Sequence, residues 1–295
     1  MITQIFVLRY YVNMKPKVIA IAGPTASGKT KMAIELAKEI GGEIISADSR
    51  LVYKGFNIAA AKPTEEEREG IPHYMIDVVE PEYDYSVGSY YEDAKKEINQ
   101  IISSGKTPIV AGGTGLYFRI LLENYDLPRV EANPELRAEL DLRDKNDLLD
   151  EIKTLDIPAY ERLKASNKRR IVRALEVMKI LGRPFSEVST LKEPEYDVEW
   201  LCPKIESREW LYNRINKRVD LMVEKGIVEE TEYLLKKHGR IKNFVETIGY
   251  KEILTYLDGI ATLDEALDKL KQHSRNYAKR QLTWFRRNPE LKINI

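Results

Sequence analysis

Apolar positions repeat with two different periods along this chain. Lys17-Val18-Ile19-Ala20-Ile21-Ala22 is a short continuous apolar run ending at a glycine, the pattern of a strand buried on both faces. Apolar residues at 32–34, 36–37 and 40 then follow helical spacing and stop at Gly41-Gly42. Glu43–Ala47, Tyr74–Val79 and Thr107–Ala111 read as further strands, and Tyr90–Ile102 as a helix. Strands alternating with helices predict an α/β fold with a parallel sheet. From about Leu127 the strand pattern disappears. Pro134–Lys153, Ala159–Lys164 and Lys168–Leu181 are helical stretches parted by Pro, Asn and Gly, and strand pattern returns only at Val198–Cys202. The expected organisation is a core of residues 14–128 and 198–295 interrupted by an all-helical insertion at 129–197. Trp210–Lys225 and Val228–Lys237 are further helices. A capping box, Thr262 to Glu265, opens a long last one.

Composition narrows the class. Of 295 residues, 43% are hydrophobic and 32% charged, as in an ordinary globular protein, which excludes disordered and collagen-like chains. One cysteine, Cys202, can neither staple a domain nor build a thiolate zinc site. It fits a reducing, cytoplasmic setting. No apolar run is long enough to span a membrane, so no membrane partner is expected. Residues 1–13 lack a signal-peptide cleavage pattern and read as an extension before the first strand.

Forty-seven basic and forty-seven acidic residues cancel, but not locally. Residues 160–183 carry eight basic and two acidic side chains, and residues 269–287 seven basic and none acidic. Such clusters are either solvated helix faces or the footprint of a polyanion. Arg169, Arg170 and Arg173 share one helical neighbourhood. Tyr277 to Arg287 interleaves bases with aromatics, as a surface that contacts phosphates and stacks bases requires.

Gly23-Pro24-Thr25-Ala26-Ser27-Gly28-Lys29-Thr30 matches G-x-x-x-x-G-K-[ST], the P-loop, with a strand before it and a helix after it. Such a loop turns backbone N–H groups around an anion. Lys29 adds a positive charge, and the Thr30 hydroxyl can hold Mg²⁺. Asp48 follows the second strand and should share the same sheet edge. It can hold Mg²⁺ through water, act as a general base, or only cap a turn. Gly112-Gly113-Thr114-Gly115 follows another strand. Its glycines fit either close approach to a ligand or a tight turn, and Thr114 would face the same edge.

Taken together, these motifs resemble the tRNA dimethylallyltransferases (tRNA isopentenyltransferases), over about Pro16 to Arg287. The resemblance is carried by GPTASGKT at 23–30, SADS at 46–49, GGTGLY at 112–117, RRIVRALEV at 169–177, INKRVDLM at 215–222, IGYKE at 248–252 and AKRQLTWF at 278–285. It implies a P-loop NTPase-like core and transfer of the dimethylallyl group of dimethylallyl diphosphate to N6 of the adenosine 3′ of the anticodon, in tRNAs reading codons that begin with U. It further implies Asp48 as general base, Thr114 at the reacting adenosine, and Lys29 with residues Gly23, Pro24, Thr25, Ala26, Ser27, Gly28 and Thr30 at the diphosphate. Arg214 and Arg218, on one helical face, can also reach that diphosphate. Thr30 would hold Mg²⁺. Contacts to the tRNA anticodon stem-loop are implied for Asp48, Ser49, Arg50 and Leu51, for Arg137, for Arg169, Arg170, Ile171, Val172 and Arg173, for Glu246, Thr247, Ile248, Gly249, Tyr250 and Lys251, and for Lys279, Arg280, Gln281 and Arg286. The expected form is a monomer of the bacterial type, without the zinc-finger tail of eukaryotic members. Three features depart from the pattern: Asn57-Ile58-Ala59-Ala60 replaces a usual Asp-Ile-Gly-Thr, Asn167 a usual Asp, and His273 a usual Thr or Ser. Three rival readings remain: an adenylate isopentenyltransferase acting on free AMP, ADP or ATP, a small-molecule kinase, and an RNA-binding module with a relict P-loop.

Overall fold

The computed structural model describes residues 15–126, 128 and 130–293. The expected extension at 1–13 and the boundary residues Met14 and Arg129 lie outside them. Two compact units form: one from the residues up to Leu122 and from Glu195 onward, the other from Glu123 to Pro194.

The first unit is built on a five-stranded, fully parallel sheet in the order β3-β2-β4-β1-β5. In chain order come β1 (Lys17–Ala22), α1 (Lys29–Ile40), β2 (Glu43–Ala47), β3 (His73–Tyr74), α2 (Val87–Ser103), β4 (Pro108–Gly112) and α3 (Gly115–Leu121). All of β2, and β1 past its first residue, are buried, as their unbroken apolar runs predict. One layer of core joins Ile19 and Ile21 of β1, Ile44 of β2 and Ile109 of β4 to Ala33, Ile34 and Ala37 of α1.

The third strand is shorter than the expected Tyr74–Val79. Met75 (φ 63°) and Asp77 (φ 55°) both turn left-handed, and that conformation ends the ladder. Val79 keeps one isolated bridge, to Tyr53.

The second unit contains α4 (Pro134–Leu142), α5 (Lys145–Leu155), α6 (Ile157–Leu163) and α7 (Lys168–Leu181). The expected single helix from Pro134 to Lys153 is two helices. Asp144 takes an extended conformation and its carboxylate accepts the Asn146 N–H at 2.7 Å, so it caps a new helix rather than continuing the old one. Asn133, Asp156 and Asn167 cap α4, α6 and α7 in the same way. Their apolar faces meet in a core of Leu140, Leu148, Ile152, Ile171, Val172 and Leu175. Compared with the expected 129–197, the unit begins and ends earlier in the chain. Asp197 belongs to the sheet, where it opens β5 (Asp197–Leu201) and pairs with Lys17.

The chain then adds α8 (Arg208–Glu224), α9 (Ile227–His238), α10 (Tyr250–Leu257) and α11 (Leu263–Phe285) to the first unit. The capping box opening α11 is formed, with Glu265 N–H on the Thr262 hydroxyl and Thr262 N–H on the Glu265 carboxylate. Ala278 and Leu282 of α11 pack on Leu211 and Ile215 of α8, which fixes α11 across the sheet edge where β1, β2 and β4 end.

Candidate functional site

The ends of β1, β2 and β4 open into a cavity of about 540 Å³ within the first unit. That volume suits a small ligand together with part of a second. Parallel register puts Ala22 of β1 beside Gly112 of β4, and Ala47 of β2 beside the same Gly112. The P-loop, Asp48 and Thr114 therefore reach one edge, as the sequence predicts.

On one side lies the phosphate loop. Gly28 takes φ 100°, a conformation that suits glycine, and from it α1 begins at Lys29. The Lys29 ammonium donates to the Pro24 carbonyl at 2.6 Å. Burial, then the neighbouring Arg218, draws its pKa down to about 8, although Asp48 opposes the shift. Arg214 Nε donates to the Ala26 carbonyl at 2.8 Å while its guanidinium lies over the Trp210 ring. Arg218 Nη1 donates to the Thr25 hydroxyl at 3.2 Å. Both arginines expected near the diphosphate thus reach the loop. The buried hydroxyls of Ser27 and Ser46 find no partner among the described residues. Buried hydroxyls are ordinarily satisfied, and of these two Ser46 lines the cavity, where it fits an oxygen-rich ligand.

On the other side lies the turn after β2. Asp48 Oδ1 accepts the Arg50 N–H at 2.8 Å, which fixes the carboxylate's orientation. Thr114 Oγ1 accepts the Ser49 N–H at 3.1 Å, and Thr114 N–H donates to the Ala47 carbonyl at 3.0 Å. Tyr277 of α11 also hydrogen-bonds Thr114. Burial and the Asp48 charge push its phenol up to about 12, so it stays neutral. A third wall is apolar, made by Ile215, Val219 and Met222 of α8 and Leu270 of α11.

The glycine that ends β4 and the two just past it are required by protein packing, and Gly112 and Gly113 also line the cavity. A Cβ at Gly112 would stand 2.2 Å from the Ala47 carbonyl oxygen, one at Gly113 2.1 Å from Gln281 Nε2, and one at Gly115 2.1 Å from the Trp284 ring. They let β2 and α11 close on the turn that carries Thr114.

Several residues expected to contact RNA are buried, and two of them, Gln281 and Thr247, line the cavity. Gln281 is buried, with both ends of its amide engaged inside the protein: Oε1 accepts the Thr25 N–H at 2.7 Å and Nε2 donates to the Gly113 carbonyl at 2.9 Å. Tyr250 is fully buried, and its hydroxyl donates to Glu230 at 2.7 Å. Thr247 is buried and donates to the Asn243 carbonyl at 2.6 Å. Gly249 is buried against Ala59, 2.6 Å from an added Cβ. Glu246, Lys251, Lys279, Arg280 and Arg286 are exposed, and Ser49, Arg50, Leu51 and Ile248 are partly so. Of these, Ser49, Arg50, Leu51, Glu246, Ile248, Lys251 and Arg280 line the cavity. His273, one of the departures, lies at its rim with Nδ1 2.6 Å from the buried Glu252 carboxylate.

In the second unit, Arg169 and Arg170 are exposed at the start of α7, whereas the side chains of Ile171 and Val172 lie in that unit's own core. Arg137 and Arg173 both hold Glu176, whose carboxylate is fully buried. Both guanidiniums are ion-paired yet about one-third exposed, whereas Arg169 and Arg170 are exposed on α7.

A family model described as IPP transferase matches residues 51–288. A tRNA dimethylallyltransferase of Acetivibrio thermocellus is 47% identical over 92% of this chain and 88% of its own length, and one of Thermomicrobium roseum is 43% identical over 93% and 85%. The chain belongs to the IPP transferase family. Among solved structures, the full-length tRNA isopentenylpyrophosphate transferase of Bacillus halodurans superposes with a TM-score of 0.70 at 40% identity, covering 95% of this chain and 90% of that one. A eukaryotic dimethylallyltransferase acting on tRNA superposes with a TM-score of 0.81 at 30% identity, covering 92% and 70%. Superposition over more than nine-tenths of this chain on these isopentenyl- and dimethylallyltransferases shows that the fold is the P-loop type expected. Among the described residues, no helix is long and apolar enough to cross a membrane, and no cluster of three or more His, Cys, Asp or Glu could hold a metal by itself.

The apolar wall was not expected from the sequence, and Tyr277, expected only as part of an RNA-contacting surface, hydrogen-bonds Thr114 in the cavity. Both carry a signal: Tyr277 precedes Gln281 by one helical turn, and Ile215, Val219 and Met222 repeat at i, i+4 and i+7 within INKRVDLM.

Proposed function

We propose that the protein transfers the dimethylallyl group of dimethylallyl diphosphate to N6 of the adenosine immediately 3′ of the anticodon, in tRNAs reading codons that begin with U. The observation that carries this reading is one cavity holding an anion-binding loop on one side and an oriented carboxylate, Asp48, on the other. The names of the relatives supply the substrate class.

The roles follow from the chemistry. The loop N–H groups, Lys29 and Arg218 hold the diphosphate and take up the charge that collects on it as the bond to the allylic carbon breaks. The five-carbon tail fits the wall of Ile215, Val219, Met222 and Leu270. An adenine amine is a weak nucleophile, and Asp48 accepts its proton as the C–N bond forms. Thr114 contacts the adenosine beside it. The target base must leave its stack to enter the cavity, and unstacking of this kind is within reach of a basic clamp. Arg280 and Lys251 at the rim, with Lys279 and Arg286 along α11, supply phosphate contacts in this unit. Arg169 and Arg170 supply them in the other.

Mg²⁺ fits the residues present. The Thr30 hydroxyl and, through water, Asp48 would hold it beside the unpartnered Ser46 hydroxyl. Bound there, it would help neutralise the leaving diphosphate.

Asp48→Ala tests the base assignment. Turnover is expected to fall at least ~10²-fold with RNA affinity kept. Equal losses of rate and affinity would contradict it.

A further inference from the structure

Gln281 lies in a stretch whose family resemblance implies RNA contact, yet it faces inward and is 5% exposed. Its amide joins the phosphate loop, at Thr25 N–H (2.7 Å), to the Gly113 carbonyl next to Thr114 (2.9 Å). Thr25 is fastened a second time through its hydroxyl to Arg218, and Thr114 reaches the turn of Asp48 through Ser49 N–H. The chain of contacts therefore runs from the donor side of the cavity to the acceptor side through one buried amide on α11.

Both ends of that amide are matched. An oxygen meets an N–H and a nitrogen meets a carbonyl, so neither a carboxylate nor a hydrocarbon of the same length reproduces it. Gly113 is open for the same reason, since a Cβ there would stand 2.1 Å from Gln281 Nε2.

We propose that Gln281 is a positioning residue: it sets the separation between the phosphate loop and the Asp48–Thr114 turn, and with it the approach of the adenine amine to the allylic carbon. This rests on the transfer reaction proposed above. A transfer between two bound substrates requires near-contact alignment, and misplacement by about 1 Å costs up to about 10²-fold in rate. Gln281 lines the cavity, but its amide oxygen and nitrogen are both engaged by the protein, so it acts on that alignment through Thr25 and Gly113.

Two variants break the bridge independently. Gln281→Met removes both hydrogen bonds at similar volume. Gly113→Ala displaces the far end of a flexible side chain without requiring a backbone shift, so it decides the matter if Gln281→Met fails to fold. Steady-state transfer of labelled dimethylallyl groups to unmodified tRNA is measured for both beside wild type, with calorimetric binding of inorganic pyrophosphate. The expected result is a kcat lowered roughly 10- to 100-fold, with KM for tRNA and pyrophosphate affinity each within about threefold of wild type. A raised KM for tRNA with kcat kept would overturn the proposal in favour of direct RNA contact. Unchanged kcat, or parallel loss of kcat and pyrophosphate affinity, would overturn it as well. Wild-type protein that transfers no label would overturn the underlying reaction, and the proposal with it.

Discussion

Arg218 and Thr25 lie 193 residues apart in the chain and meet at 3.2 Å, guanidinium to hydroxyl, on the rim of the phosphate loop. Burial lowers the arginine's pKa, and the charges of Asp48 and Glu67 offset part of that shift. A cation held there with no carboxylate in direct contact among the described residues is arranged for an anionic ligand. Arg218→Ala should weaken binding of inorganic pyrophosphate about 10- to 100-fold, the loss expected for one or two charge-assisted hydrogen bonds. Isothermal calorimetry measures it, and an unchanged affinity would remove Arg218 from the anion site.

Lys29 gives the site a pH dependence. Its pKa is near 8 in the ligand-free protein, and a bound anion favours the charged form. Pyrophosphate affinity should therefore fall as pH rises above about 8, with proton uptake on binding. Lys29→Arg, charged throughout, should lack that part of the decline. Folding stability runs the other way. The folded pKa is below the ordinary 10.5, so between about 8 and 10.5 the unfolded chain binds more protons, and stability rises with pH across that window.

Glu176 organises the second unit. Its buried carboxylate accepts from Arg137 at 2.9 and 3.0 Å, from Arg173 at 2.6 Å and from the Asn133 N–H at 2.7 Å. Burial alone would raise its pKa, but these donors outweigh burial and hold it below the usual range. Glu176→Gln should cost about 2 kcal/mol. That is less than a fully buried pair, because both arginines are about one-third exposed. Thermal unfolding checks it. The stabilisation is present above the ordinary carboxylate pKa and is lost as pH falls through the lowered one.

The same contacts separate two groups of arginines. Arg169→Glu with Arg170→Glu should lower tRNA affinity and flatten its dependence on salt, with little effect on unfolding. Arg137→Ala and Arg173→Ala should act first on stability. Binding curves at two salt concentrations distinguish them, and unchanged binding in the double charge reversal would take α7 out of the RNA surface.

Much of the fold was legible in the chain because its signals are local. Uninterrupted apolar runs marked β1 and β2, Gly28-Lys29-Thr30 marked the start of α1, and Thr262 with Glu265 marked the start of α11. Two left-handed residues, Met75 and Asp77, ended β3 early; Asp is a turn-forming type, but Met75 is not, and it turns first. Asp144 restarted a helix where helical periodicity continued through it. At the site, the P-loop, Asp48 and Thr114 were legible because parallel topology sends all three to one sheet edge. The role of the glycines at 112, 113 and 115 was not, because what crowds them comes from β2 and from α11, far away in sequence. The inward face of Gln281 was obscured by its neighbours Lys279 and Arg280, which are exposed.

The most direct test uses labelled dimethylallyl diphosphate and Mg²⁺ in parallel reactions with unmodified tRNA and with AMP. Label on N6 of the adenosine adjoining the anticodon, and none on AMP, is the predicted result. Label on AMP alone, or phosphate transfer without alkylation, would contradict the central claim that this cavity joins a prenyl diphosphate to an adenosine of tRNA.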